Sequence, residues 1–142
     1  MQIQYGLIFI AAFVAFAIGA AWYSPLVFAK QWMALTGMKM EDGKKLGMWK
    51  YYVSGLVSYI IMAYVLYWII GVRIGYLESI GQAVSAVKIG VMTGFLMWFG
   101  FVGTVTLGGV LWEKKPFKLY VLNNAYTLIA LLVMGAMLGG WR

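Results

Sequence analysis

The sequence predicts an all-α membrane protein with four transmembrane helices as two hairpins, and a short interfacial helix after the first span. Three observations carry this. The 142 residues are 64% hydrophobic and 11% charged, with a mean hydropathy of +0.87, whereas a soluble domain carries about 25% charged residues. Four apolar runs are each long enough to cross a hydrocarbon core of about 30 Å at about 1.5 Å per residue. The 11 lysines and arginines gather in short connections, with no arginine-rich face or stacking platform.

The length leaves room for one domain, residues 1–142, with spans expected at about 5–24, 51–72, 89–112 and 119–141. Residues 1–29 carry no charged side chain. A secretory signal peptide competes for this stretch, because small residues recur at Ala15, Ala17, Ala20 and Ala21. The start, Met1-Gln2-Ile3-Gln4, lacks the positive region such peptides need, so a retained helix is expected. Ala11, Ala15 and Gly19 repeat every fourth residue, a small-residue stripe suited to close helix contact.

Trp22-Tyr23-Ser24-Pro25 closes this span. Trp and Tyr favour the headgroup level, Ser24 suits a helix cap, and Pro25 suits a first helical position. A short helix is expected from Pro25 to Leu35, ending at Gly37. It carries Leu26, Phe28, Trp32, Met33 and Leu35 around Lys30 and Gln31, as an interfacial helix would. The alternative is a kinked continuation of the first span.

Met38 to Lys50 is the main polar stretch. Glu41 and Asp42 suit the first turn of a helix beginning near Met40 and entering the bilayer near Tyr51. Tyr51 and Tyr52 form one aromatic belt of the second span; Tyr67 and Trp68 form the other. Tyr59 lies mid-span, where its hydroxyl needs a protein partner. A turn is expected over Gly71–Gly75, then helix over Tyr76–Val87, with Lys88 snorkelling at the threshold of the third span. Within that span Gly90 and Gly94, followed by Gly100, Gly103, Gly108 and Gly109, mark close packing or, alternatively, a loosened helix lining a cavity. After the turn Glu113-Lys114-Lys115-Pro116-Phe117-Lys118, the fourth span repeats the glycine spacing at Gly135 and Gly139.

Orientation follows from the basic residues. Lys30, Lys39, Lys44, Lys45 and Lys50 lie in the first connection, and Lys114, Lys115 and Lys118 in the third. Only Arg73, Lys88 and Arg142 lie on the opposite side. The positive-inside rule puts the first and third loops in the cytoplasm and both termini outside. The net charge of +7 then serves topology and anionic phospholipid headgroups, not nucleic acid.

The chain has no cysteine and no histidine, which removes thiolate nucleophiles, Cys/His zinc sites and histidine acid–base chemistry. The acids are Glu41, Asp42, Glu78 and Glu113. No enzyme, metal or cofactor is expected. Glu113, where the third span leaves the bilayer, reads as an interfacial ion pair with the neighbouring lysines, or as a cation or proton site at a pore mouth. Asn123 and Asn124 point about 100° apart on a helix, and at least one is expected to bond across helices. Thr127 lies one turn further on and extends the polar strip. These residues and Tyr59 are the expected polar lining or interhelical contacts. Ala15, Gly19, Gly90, Gly94, Gly135 and Gly139 are the expected packing positions.

Three stretches also resemble a family of bacterial membrane proteins catalogued as domain of unknown function 1761. They are Trp22-Tyr23-Ser24-Pro25-Leu26-Val27-Phe28-Ala29-Lys30-Gln31-Trp32 with Leu35-Thr36-Gly37; Trp98-Phe99-Gly100-Phe101-Val102; and Leu111-Trp112-Glu113-Lys114-Lys115-Pro116 with Asn123, Tyr126 and Met134 through Trp141. The chain departs from the family's pattern at Lys115, where arginine is usual, and at Ala125, where a glycine usually precedes the tyrosine. The resemblance implies a small multi-span protein of unassigned activity in the bacterial inner membrane. It brings no catalytic residues.

Two functions are therefore expected to compete. One is a homo-oligomer associating through the small-residue stripes, as a channel or transporter subunit lined by Asn123, Asn124, Thr127 and Glu113. The other is an accessory protein that binds anionic lipid or a partner protein, with Trp22, Tyr23, Lys30, Trp32, Lys44, Lys45 and Lys115 at the headgroups. Polar residues cluster in one half of the fourth span, while Leu128 to Leu138 is apolar. That pattern suits a vestibule or packing seam better than an open pore.

Overall fold

The structure, a computed structural model, describes residues 3–39, 41–42 and 47–142. Among these the regular elements are α1 (Tyr5–Trp22), α2 (Ala29–Thr36), α3 (Met48–Ser79), α4 (Ala86–Leu111) and α5 (Phe117–Gly140). Helices α1, α3, α4 and α5 are long and apolar enough to cross a membrane.

Several boundaries differ from expectation. Gly71 and Gly75 do not form a turn: α3 runs through both to Ser79. Glycine weakens a helix chiefly by exposing its backbone and by its entropy, and in an apolar setting the backbone has no better partner than its own i−4 carbonyl. At 32 residues, α3 is about 48 Å long and outreaches the hydrocarbon core. The expected helix over Tyr76–Val87 is split. The chain turns at Gly81, with φ of 73°, and Ser85 opens α4 by accepting from the Lys88 N–H at 3.4 Å. At the other end α3 starts at Met48, because Gly47 has φ of 63°. Met40, where that helix was expected to begin, lies outside the described residues.

The short helix α2 begins at Ala29, not Pro25. Residues 24–28 form a turn in which the Ser24 carbonyl accepts from the N–H groups of Val27 (3.1 Å) and Ala29 (3.2 Å). Its C-terminal end is as expected, with Gly37 left-handed at φ 72°.

Helix α5 packs on α1, α2, α3 and α4, and α3 packs on α1 and α4. The buried core is built of small side chains (Ala11, Ala12, Ala15, Ala63, Ala130) between large ones (Leu66, Tyr67, Ile70, Met134, Leu138). Lipid is as apolar as these side chains, so burial from water does not hold the helices together. Dispersion at close range and interhelical hydrogen bonds do.

The tightest seam is antiparallel, between α4 and α5. Ala86 lies against Gly139, Gly90 against Gly135, and Gly94 against Leu131. A Cβ on Gly90 would lie 2.8 Å from the carbonyl carbon of Gly135, and one on Gly135 would lie 2.8 Å from that of Gly90. Gly19 on α1 is closed by the Tyr126 ring, and Ala15 is fully buried. The stripes expected to serve association between copies are thus occupied within the chain.

At the end of the bundle that carries Gln4 and Arg142, the Gln4 N–H meets the Tyr67 hydroxyl at 3.4 Å. The Arg142 guanidinium lies 4.0 Å from the Tyr67 ring centroid and donates to the Tyr67 carbonyl. Arg73 is not in a loop. It donates to the Thr93 hydroxyl at 2.6 Å, tying α3 to α4.

Candidate functional site: a polar cleft at the basic end

The first half of α5 carries Tyr120, Asn123, Asn124 and Tyr126, which face different neighbours because a helix turns about 100° per residue. Asn124 is 4% exposed and bonds through its side chain and its backbone. Its carboxamide oxygen accepts from Thr106 at 3.0 Å, its nitrogen donates to the Tyr120 carbonyl at 2.9 Å, and its backbone carbonyl accepts from the Trp98 indole at 3.0 Å. Asn123 turns toward α1, and its carboxamide oxygen accepts from the Tyr23 hydroxyl at 2.7 Å. Thr127 bonds only its own helix, to the carbonyls of Asn123 (3.3 Å) and Asn124 (3.1 Å), the usual habit of threonine in apolar helices.

The α4 wall of this region is shaped by a feature the sequence did not announce, a π-helical segment over Trp98–Gly103. Such segments disturb the i−4 ladder and often mark functional positions. Here the Gly103 carbonyl accepts from the Tyr120 hydroxyl at 2.9 Å, and Trp98 reaches Asn124. The segment thus supplies two of the polar contacts between α4 and α5.

Deeper in the bundle Tyr126, 5% exposed, joins three helices. Its hydroxyl donates to the Ala15 carbonyl at 3.2 Å and is paired with the Tyr59 hydroxyl. Its ring meets Tyr23 edge-on at 5.5 Å between centroids. Tyr59 therefore faces protein. Tyr126, like Tyr59, is a phenol in an apolar span that needs a partner, and that requirement is the signal in the sequence that marks it. Trp22 packs on Phe28 at 4.6 Å and Tyr23 bonds Asn123, so both turn into the bundle and not simply outward to headgroups.

Above this aromatic layer a cleft of about 450 Å³ opens between α2, the end of α4 and the start of α5. Trp32 and Thr36 come from α2, Thr106 and Gly109 from α4, Tyr120 and Asn123 from α5, and Glu113 and Lys115 stand at the connecting turn. Lys115 Nζ is 2.6 Å from the Glu113 carboxylate. Lys30 is exposed on α2; Lys44 and Lys45, also expected at the headgroups, lie outside the described residues. Two other grooves are apolar. One of about 490 Å³ lies between α3, α4 and α5, lined by Met62, Leu66 and Phe101 among others. One of about 330 Å³ lies between α1 and α3. Among the described residues no three His, Cys, Asp or Glu side chains come together to hold a metal.

The turn itself is strained. Lys114 has φ of 56°, a left-handed conformation that costs a side-chain-bearing residue about 1 kcal/mol. It lets the Lys115 N–H return to the Gly109 carbonyl at 3.0 Å, closing the end of α4 and setting Glu113 beside Lys115. Lys114→Gly is expected to raise stability by about 1 kcal/mol in a denaturant titration in detergent micelles. A loss of stability would show that the Lys114 side chain outweighs its backbone strain.

No curated protein and no solved structure matches the chain. The match that does exist covers residues 7–139, from the first span through the end of the α4–α5 seam, and so includes every residue of the cleft: the chain belongs to the family described as protein of unknown function, DUF1761.

Proposed function

We propose that this is a multi-pass protein of the bacterial inner membrane that binds an anionic lipid at its basic end, in an accessory and not a catalytic role. The observation that carries this reading is the polar cleft under α2. It lies at the end of the bundle that carries Lys30, Lys50, Lys114, Lys115 and Lys118, and Asn123 in its wall is bonded to Tyr23. By the positive-inside rule that end faces the cytoplasm and both termini lie outside.

Exposed side chains ring the same end at headgroup level. Leu26 is 94% and Trp112 85% exposed, and Trp49, Tyr51 and Phe117 are also exposed. Large apolar side chains with such exposure suit a lipid interface. The charge on Lys30, Lys50, Lys114 and Lys118 suits an anionic leaflet.

A pore between copies finds less support. Asn123 and Asn124, its expected lining, are turned to Tyr23 and Thr106 of the same chain. The small-residue stripes expected to bring copies together are covered by α1, α4 and α5 themselves. Native mass spectrometry from lipid nanodiscs tests the choice. The expected result is a phospholipid retained on a monomer or dimer. A closed ring of subunits without retained lipid, conducting solute in a flux assay, would overturn the reading.

A further inference from the structure

We propose that the cleft is a phosphate-oxyanion site for a phospholipid headgroup, held by Lys115 and the carboxamide of Asn123, and that Glu113 is its internal competitor. The proposal rests on the lipid-binding reading and adds the ligand's chemistry and the residue that opposes it.

The carboxamide oxygens of the cleft are both engaged, Asn123 by Tyr23 and Asn124 by Thr106. The Asn124 nitrogen is engaged as well. The Asn123 nitrogen is a different case. The amide's oxygen is the end that faces Tyr23, and among the described residues its two N–H donors have no protein partner. Lys115 brings three donors, with the Glu113 carboxylate as its ion-pair partner. Apart from the Glu113 carboxylate, the charged and amide groups left unengaged in the cleft are donors, which suit a ligand rich in acceptor oxygens.

Among the described residues Glu113 is the only acid lining the cleft, and its pair with Lys115 is weak by position. The two side chains are 61% and 57% exposed, and ion pairs in such surroundings contribute little. A phosphate that takes Lys115 and the Asn123 amide together replaces one weak contact with two charge-assisted ones. Gly109 holds Lys115 in place for this. A Cβ there would lie 3.2 Å from Lys115 Cδ, so the lysine stem rests in the space that the missing side chain leaves. The remaining walls include Val105, Val110 and Leu119, which suit a glycerol backbone and its first methylenes. They favour a lipid phosphate over a free one.

The test uses the full chain in nanodiscs of equal parts phosphatidylcholine and phosphatidylglycerol, with retained phosphatidylglycerol read by native mass spectrometry. Lys115→Gln is expected to lower retention about tenfold and Lys115→Arg to restore it. Glu113→Gln is expected to raise retention about fivefold. Lys114→Gln, a change of equal charge outside the cleft, is expected to leave it within about twofold. Unchanged melting in all four confirms folding.

Equal losses in Lys114→Gln and Lys115→Gln would replace the site with a diffuse basic surface. Retention that ignores Glu113→Gln would remove the competitor. Both outcomes leave the lipid-binding reading standing, whereas a wild-type chain that retains no phosphatidylglycerol overturns that reading itself. In a second arm inorganic phosphate is added in detergent and Trp fluorescence is recorded. A response that follows the same Lys115 and Glu113 pattern, without phosphatidylglycerol retention, would assign the site to a soluble anion and overturn the lipid assignment.

Discussion

Gly90→Leu is expected to destabilise the protein by about 3 kcal/mol or more, measured by denaturant titration in mixed micelles. The cost arises because the neighbour is backbone and not a side chain. Even the Cβ would lie 2.8 Å from the Gly135 carbonyl carbon and 3.3 Å from the Gly139 Cα. No rotamer change relieves that contact, so α4 and α5 must separate along the seam. Helices held by dispersion lose a quarter to a half of a contact's well depth for a gap of about 0.5–1 Å, and every pair from Ala86–Gly139 to Gly94–Leu131 is affected. Gly100→Ala on the same helix is the control. Nothing lies within 4 Å of a Cβ at that position, and its effect is expected to stay within about 0.5 kcal/mol. Equal effects at Gly90 and Gly100 would mean that the seam is not the closest approach in the bundle.

Tyr126→Ala is expected to cost about 3–5 kcal/mol, as for other buried aromatic truncations. The ring fills the space between α1, α3 and α5, against Gly19 and beside Trp22, Tyr23 and Tyr59. Tyr126→Phe separates ring from hydroxyl. It keeps the packing but removes the partner of the Tyr59 hydroxyl and of the Ala15 carbonyl, at an expected cost of about 1–2 kcal/mol. Tyr59→Phe in the Tyr126→Phe background should then cost less than Tyr59→Phe alone, because the two hydroxyls share one bond. Strict additivity in that cycle would show that the hydroxyl pair contributes nothing to stability.

The hydroxyl of Tyr126 and the carboxamide of Asn123 also show where sequence reading reached the site and where it stopped. A polar group in an apolar span needs a partner, so Tyr59, Asn123 and Asn124 could be picked out from type and position alone. Their partners could not. Tyr23 lies 100 residues from Asn123, and Tyr126 lies 111 from Ala15. Nothing local encodes such pairings. The cleft is a further step removed, because it exists only where α2 folds back over the α4–α5 turn.

Composition, charge placement and the four apolar runs determined the class of this protein and the number of its candidate spans, since the requirement to satisfy the backbone in an apolar solvent leaves few alternatives to helices. Glycine spacing also marked where close contact would occur. The sequence could not say which face of each span turns inward, because in an apolar helix both faces carry the same kinds of side chain and no polar–apolar period distinguishes them. The tertiary structure decided that. It set Gly90 and Gly94 against α5 and not against a second copy, carried α3 through Gly71 and Gly75, placed a π-helical segment at Trp98–Gly103, and brought Lys115, Glu113 and Asn123 to one cleft. In each case the deciding quantity was shape at contact distance between helices, which no single segment carries by itself.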